Sequence, residues 1–246
     1  MEISLAAEKI GHIGSLPVTN SMILSWIASL FLAVVAFLAS LKVSLIPTKV
    51  QNFFEAIIEF LYDTANSVLE DEKATRKYFP LVATLFIFII TNNWLGLLPG
   101  VGTIGINEIS REGHEILVPI LRSGNADLNM TLALAIITMI AVQVFGVVAI
   151  GTFKYAKKFF NFSGVIEFFV GILELLGEFA KIVSFSFRLF GNIFAGEVLL
   201  VVIAFLVAYI APLPFMFLEL FVGFIQALVF TMLALVFIKG AISEAH

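Results

Sequence analysis

The sequence predicts an all-α integral membrane protein with about five membrane-embedded helices, including a long, strongly tilted helix pair, and one amphipathic helix on the membrane surface. Composition is the first reason. Of the 246 residues 61% are hydrophobic and only 13% charged, with mean hydropathy +1.08, whereas soluble domains carry about 25% charged residues. The second is that the apolar runs are long and continuous, where a membrane β-barrel would show short alternating segments. The third is the stretch Val165 to Ile210, which has no proline and no loop-like polar cluster. Drawn out as a helix it would reach about 69 Å at about 1.5 Å per residue, over twice a hydrocarbon core of about 30 Å. It must lie strongly tilted or break, and Gly191 and Gly196 are the places to break it.

The elements follow in order. Ile13 to Leu41 contains no charge and predicts a span over about 22–41. In 48–69, Val50, Phe53, Phe54, Ile57, Ile58, Leu61, Ala65 and Val68 fall at helical spacing, with Glu55, Glu59 and Asp63 opposite. This is the amphipathic helix, with Thr48 and Gln51 placed for a capping box. The charge-free run Tyr78 to Asn107 gives a second span over 80–98, ended by Pro99-Gly100. A third covers 128–152 behind Asp127 as N-cap. The long helix over 165–210 and a last one over 215–239 are separated by Pro212-Leu213-Pro214. All of 1–246 is read as a single membrane domain.

Several function classes drop out. Without cysteine there are no disulfides, thiolate metal sites or cysteine nucleophiles. His12, His114 and His246 make no metal-spaced cluster. No catalytic residue, cofactor or metal is assigned, and no nucleic-acid partner is expected. The first apolar run is too long for a cleavable signal, so none is expected. Lys42, Lys49, Lys73, Arg76, Lys77, Lys154, Lys157, Lys158 and Lys239 fall on one side of the membrane, against Lys9, Arg111 and Arg122 on the other. The positive-inside rule then puts the N-terminus outside and the C-terminus in the cytoplasm.

The candidate functional residues are the polar groups inside the apolar stretches. Arg188 lies mid-helix in Ser184-Phe185-Ser186-Phe187-Arg188-Leu189-Phe190-Gly191-Asn192. A guanidinium cannot shed its proton, and a charge at the centre of a membrane helix costs about 2.5–3.5 kcal/mol on insertion scales. At 100° per residue, Glu174, Lys181, Ser184, Arg188 and Asn192 form one stripe. Glu197 lies about half a turn round from Arg188. Glu219 and Gln226 share a face of the last helix, with Gly223 leaving room between them. Glu178 and Lys181 are i,i+3 partners, so that end also reads as a neutralised cluster. An Arg188–Glu219 bridge of purely structural purpose is the competing reading for the arginine. Intramembrane carboxylates take up and release protons, amides and hydroxyls hold water between them, and a permanent cation blocks proton hopping. Together they describe a proton path with a barrier in it.

Ser-Phe-Arg-Leu-Phe-Gly-Asn at 186–192, with Ala195-Gly196-Glu197, resembles the signature of subunit a of the F-type rotary ATP synthases. Asn92-Asn93-Trp94-Leu95-Gly96-Leu97-Leu98-Pro99, Ala126-Asp127-Leu128-Asn129-Met130-Thr131 and Gln226-Ala227 are similar to further family motifs. The resemblance implies a stator in a bacterial inner membrane, a thylakoid being second choice. It would sit against a rotating ring of c subunits, each with a membrane carboxylate, alongside the peripheral-stalk b subunits, the rest of the synthase and lipid. It implies that Arg188 faces the ring and separates two half-channels. Glu197, Glu219, Asn192 and Gln226 would line the outer one, and Ser184, Glu174 and Lys181 would belong to the inner. Some members carry histidine where Glu219 stands or near Glu197; here both are acidic. Loop 100–126 and the first 20 residues match poorly and are assigned no role. A self-contained secondary transporter and a structural anchor subunit are the alternatives; the first would predict inverted repeats, which the chain lacks.

Overall fold

The computed structural model describes residues 7–41, 44, 46–109, 115–159, 164–207 and 210–243. Arg111, His114, His246 and Lys42 lie outside them. The fold is all-α apart from two small hairpins. Among the described residues the helices are α1 (Asn20–Ser40), α2 (Lys49–Leu69), α3 (Glu72–Gly96), α4 (Leu128–Ile150), α5 (Thr152–Phe159), α6 (Val165–Leu206) and α7 (Pro212–Ile242). All but α2 and α5 are long and apolar enough to cross a membrane.

Local chemistry sets where these helices begin. Asp71 caps α3 by accepting from the Lys73 amide at 2.9 Å, so the helix starts at Glu72, well before the expected 80. Pro80 sits inside it. Asp127 caps α4 through the Asn129 amide at 3.0 Å. α7 begins at Pro212 and not at 215, because a proline in the first turn forfeits an amide that has no helical partner there. At α2 only half of the expected capping box forms. Thr48 Oγ1 accepts from the Gln51 amide at 3.4 Å, but the Gln51 side chain turns to Ser44 O and Glu55 instead. Leu61, Ala65 and Leu69 bury the C-terminal half of α2, while Glu55, Glu59 and Asp63 stay exposed.

α6 runs unbroken for 42 residues, about 63 Å, and neither Gly191 nor Gly196 interrupts it. Packing outweighs the roughly 0.5–1 kcal/mol that each helical glycine costs. Phe185, Leu189 and Ile193 are buried against Leu134 and Ala135 of α4 and Ala227, Phe230 and Ala234 of α7. The helix ends at Leu206, short of the expected 210.

Two regions without an expected structure form hairpins: β1 (Lys9–Ile13) with β2 (Leu16–Thr19), and β3 (Gly105–Ile109) with β4 (Glu115–Pro119), both antiparallel. Asn20, at the start of α1, ties them together by donating from its backbone N to Glu8 O at 3.1 Å and from Nδ2 to Pro119 O at 3.2 Å. Both hairpins thus sit at the end where α1, α4 and α7 begin. The opposite end gathers α2, α5 and the lysine-rich segments, joined in one place by Lys239–Glu70 at 3.2 Å.

Candidate ion path

Where α3 and α6 end and α7 begins, the helices enclose a cavity of about 830 Å³. Glu8, Asn93, Arg122, Ser123, Glu197 and Glu219 supply much of its polar wall. Glu219 is 7% exposed. Its carboxylate lies where a side chain on Gly196 would stand, so the missing Cβ of Gly196 is what lets α7 bring a carboxyl group against α6. Among the described residues Glu219 has no hydrogen-bond or ion-pair partner.

A buried polar belt fixes α7 at this level. Asn93 Nδ2 donates to Gly223 O at 2.8 Å and Trp94 Nε1 to Leu220 O at 3.1 Å. Asn125 Nδ2 donates to Asn93 Oδ1 at 2.7 Å, Ser25 Oγ to Asn92 Oδ1 at 3.2 Å, and Ser21 Oγ to Asp127 Oδ2 at 2.8 Å. Asn92, Asn93, Asn125 and Asp127 are all buried. In an apolar surrounding each unmade bond would cost about 1–3 kcal/mol, so the belt sets the register of α1, α3, α4 and α7 around the cavity.

Glu197 is held otherwise. Arg122, from the segment before α4, donates from Nε to Oε1 at 3.1 Å and to Oε2 at 3.2 Å, and from Nη2 to Oε2 at 3.1 Å. In the sequence Arg122 is marked only by the side of the membrane on which it falls. One signal was available: Arg122 and Asp127 are the only charges between Glu115 and Lys154, and a charge so isolated calls for a partner.

Arg188 lies on the other side of α6. It is exposed, along with Ser184, Phe187, Gly191, Asn192 and Ala195, whereas Phe185, Ser186, Leu189, Phe190, Ile193 and Gly196 are buried. Its Nη2 donates to Ser184 Oγ at 3.2 Å, and Asn192 Nδ2 donates to its backbone carbonyl at 2.8 Å. No carboxylate among the described residues pairs with it. The Arg188–Glu219 bridge does not form.

The remaining candidates separate. Asn192 and Gln226 are not on the cavity wall. α6 and α7 run antiparallel in a register that brings Gly196 to Glu219 and Phe185 to Phe230. The same register puts Gln226 level with Leu189, next to Arg188 along α6. Glu174 pairs with Lys158 at 2.8 Å, and Lys181 with Glu178 at 2.6 Å. Gln143 Nε2 donates to Glu178 at 2.9 Å, and the Tyr155 hydroxyl to Gln143 Oε1 at 2.5 Å. This end of α6 is a neutralised polar cluster joining α4, α5 and α6.

A helical membrane protein with a carboxylate-lined cavity at one end, a paired polar cluster at the other and, on an outward face, an arginine with no carboxylate partner among the described residues belongs to the class that moves ions. The comparisons name the family. The profile described as ATP synthase A chain matches residues 22–239. "ATP synthase subunit a" of Moorella thermoacetica is 34% identical over 232 residues, 94% of this chain and 94% of the relative. That of Syntrophobacter fumaroxidans is 35% identical over 223 residues, 90% of this chain and 84% of the relative. "ATP synthase subunit a, sodium ion specific" of Propionigenium modestum is 34% identical over 255 aligned positions, 100% of this chain and 81% of the relative. The chain belongs to the ATP synthase subunit a family. It is an integral, non-catalytic, ion-translocating subunit of the synthase's membrane sector.

Proposed function

We propose that this chain is the proton-translocating stator of a rotary ATP synthase, a single membrane domain whose α6–α7 pair offers two offset half-channels to a rotating ring of c subunits. The observation that carries this reading is Arg188, a permanent cation on the exposed face of α6 with no carboxylate partner among the described residues. A membrane cation left unpaired is costly, and a ring carboxylate passing that face would supply the missing anion. Gly191 and Ala195 flank it with little side-chain bulk, which suits close approach by another helix.

In this mechanism protons enter from outside through the cavity that Glu219 and Glu197 line and pass to a ring carboxylate. The neutralised carboxylate turns through lipid and re-enters from the other side, where it loses its proton past Ser184 toward the Glu174–Lys158 and Glu178–Lys181 cluster. Arg188 attracts the ionised carboxylate and repels protons that would hop straight across. The lysine-rich end faces the cytoplasm by the positive-inside rule, in a bacterial inner membrane. Peripheral-stalk b subunits and lipid cover the remaining apolar surface.

Cross-linking tests it. The chain has no cysteine, so Ser184→Cys and Asn192→Cys are placed singly and oxidised in the whole complex against a cysteine on the ring's carboxylate-bearing helix. Both cross-link to the ring, whereas Ala234→Cys, buried in the core among the helices, does not. Failure of both, with the complex assembled, refutes the ring-facing assignment. Pumping is assayed with and without sodium to identify the ion.

A further inference from the structure

Glu197 and Glu219 share one cavity but are held differently, and we infer that they have different duties. Arg122 is a positioning residue that fixes Glu197 as a constant anion, leaving Glu219 as the carboxyl group that carries protons through the outer cavity. This rests on reading the cavity as an ion path and divides the work within it.

The Arg122 side chain is only 6% exposed, its three bonds to Glu197 engage both carboxylate oxygens, and the guanidinium lies 5.7 Å from the ring centre of Phe194, one turn back on α6. A forked donor on both oxygens fixes the orientation of a carboxylate as well as its charge. A guanidinium cannot be neutralised, so protonating Glu197 would take from a buried cation the carboxylate that its fork engages. The pair also ties α6 to the segment that leads through Gly124–Ala126 into α4, so it holds the cavity's wall in place. Glu8, the third carboxylate on that wall, accepts from Asn20 Nδ2 at 3.4 Å and belongs to the hairpin junction. Glu219 alone of the three has no polar partner among the described residues.

The two roles predict opposite behaviour when the pair is neutralised as a unit. ATP-driven proton uptake is measured in vesicles holding the complete synthase, with assembly and ATP hydrolysis checked for each variant. Arg122→Gln takes the forked donor from Glu197, Glu197→Gln takes the carboxylate from the buried Arg122, and each slows uptake by about tenfold or more. Arg122→Lys, which keeps the charge but not the fork, falls between native and Arg122→Gln. The double variant R122Q/E197Q removes both charges together and recovers to within about threefold of native, and Glu219→Gln abolishes uptake in every background. A double variant that assembles yet pumps no faster than Glu197→Gln would show that Glu197 itself carries protons and overturn the inference. So would Arg122→Gln at the native rate, a result that stands even if the double variant does not assemble. Native pumping by Glu219→Gln would instead remove the cavity from the ion path altogether.

Discussion

Gly196→Ala isolates the contact that places Glu219. A Cβ at this position would fall on the Glu219 carboxylate, overlapping both oxygens and the carbon between them. Ordinary contact requires about 3.5 Å, so the carboxylate must swing aside by more than about 1 Å or the helices must part. Parting is opposed by the Asn93–Gly223 and Trp94–Leu220 bonds that lock α7 to α3. The carboxylate is the far end of a flexible side chain, so swinging it aside costs less than overpacking a core, and the cost falls on where the acid stands. A loss of about 1–2 kcal/mol in the proton-exchange step slows uptake by about 5- to 30-fold. The assay is ATP-driven proton uptake by the reconstituted synthase, with thermal stability of the complex recorded alongside. Gly240→Ala serves as control, since a Cβ there meets nothing within 4 Å; it pumps at the native rate and gains about 0.5–1 kcal/mol of stability from helix propensity. Native pumping by Gly196→Ala in an assembled complex would refute the placement of Glu219 against α6.

Two further predictions concern the packing at either end. Asn93→Ala removes the donor to Gly223 O and the acceptor of Asn125 Nδ2, at about 1–3 kcal/mol for each group left unpaired; the midpoint of thermal unfolding in detergent falls by at least about 4 °C, and an unchanged midpoint would show that the belt is not holding α7. At the opposite end, burial first, and then the nearby Glu178 and Glu174, push the Tyr155 hydroxyl up to about 12. The neutral phenol is the form the fold favours, so its contribution is intact below the ordinary tyrosine value of about 10 and is lost as pH rises from there toward 12. Absorbance titration of tyrosinate shows a late step that Tyr155→Phe abolishes; a native chain with no such step would contradict the burial of Tyr155 beside Glu178 and Glu174.

Hydropathy and helical spacing were enough to read the membrane helices and the amphipathic α2, because those signals are local. What local signals could not supply was partnership across the chain. Gly196 read as a point of weakness in a helix too long to stand upright, yet it is where Glu219 comes closest, a contact made by residues 23 positions apart. Arg122 and Glu197 are 75 positions apart, and nothing in the spacing of either announces the other. The start of α3 at Glu72 was hidden because hydropathy marks the apolar part of a helix and Asp71 caps a charged first turn. Of the candidate residues, Ser184, Arg188 and Asn192 fall on one exposed face as the 100° arithmetic required. Glu174 and Lys181, on the same stripe by that arithmetic, are instead drawn into pairs with Lys158 and Glu178.

The most direct test of the account is Arg188→Ala in the complete synthase, measured as ATP-driven proton uptake with assembly verified. The account predicts that uptake disappears while the complex remains intact, because nothing then separates the two half-channels or draws in the ionised ring carboxylate. Uptake near the native rate in an assembled complex would contradict it, leaving Arg188 a structural residue and requiring another barrier in the path.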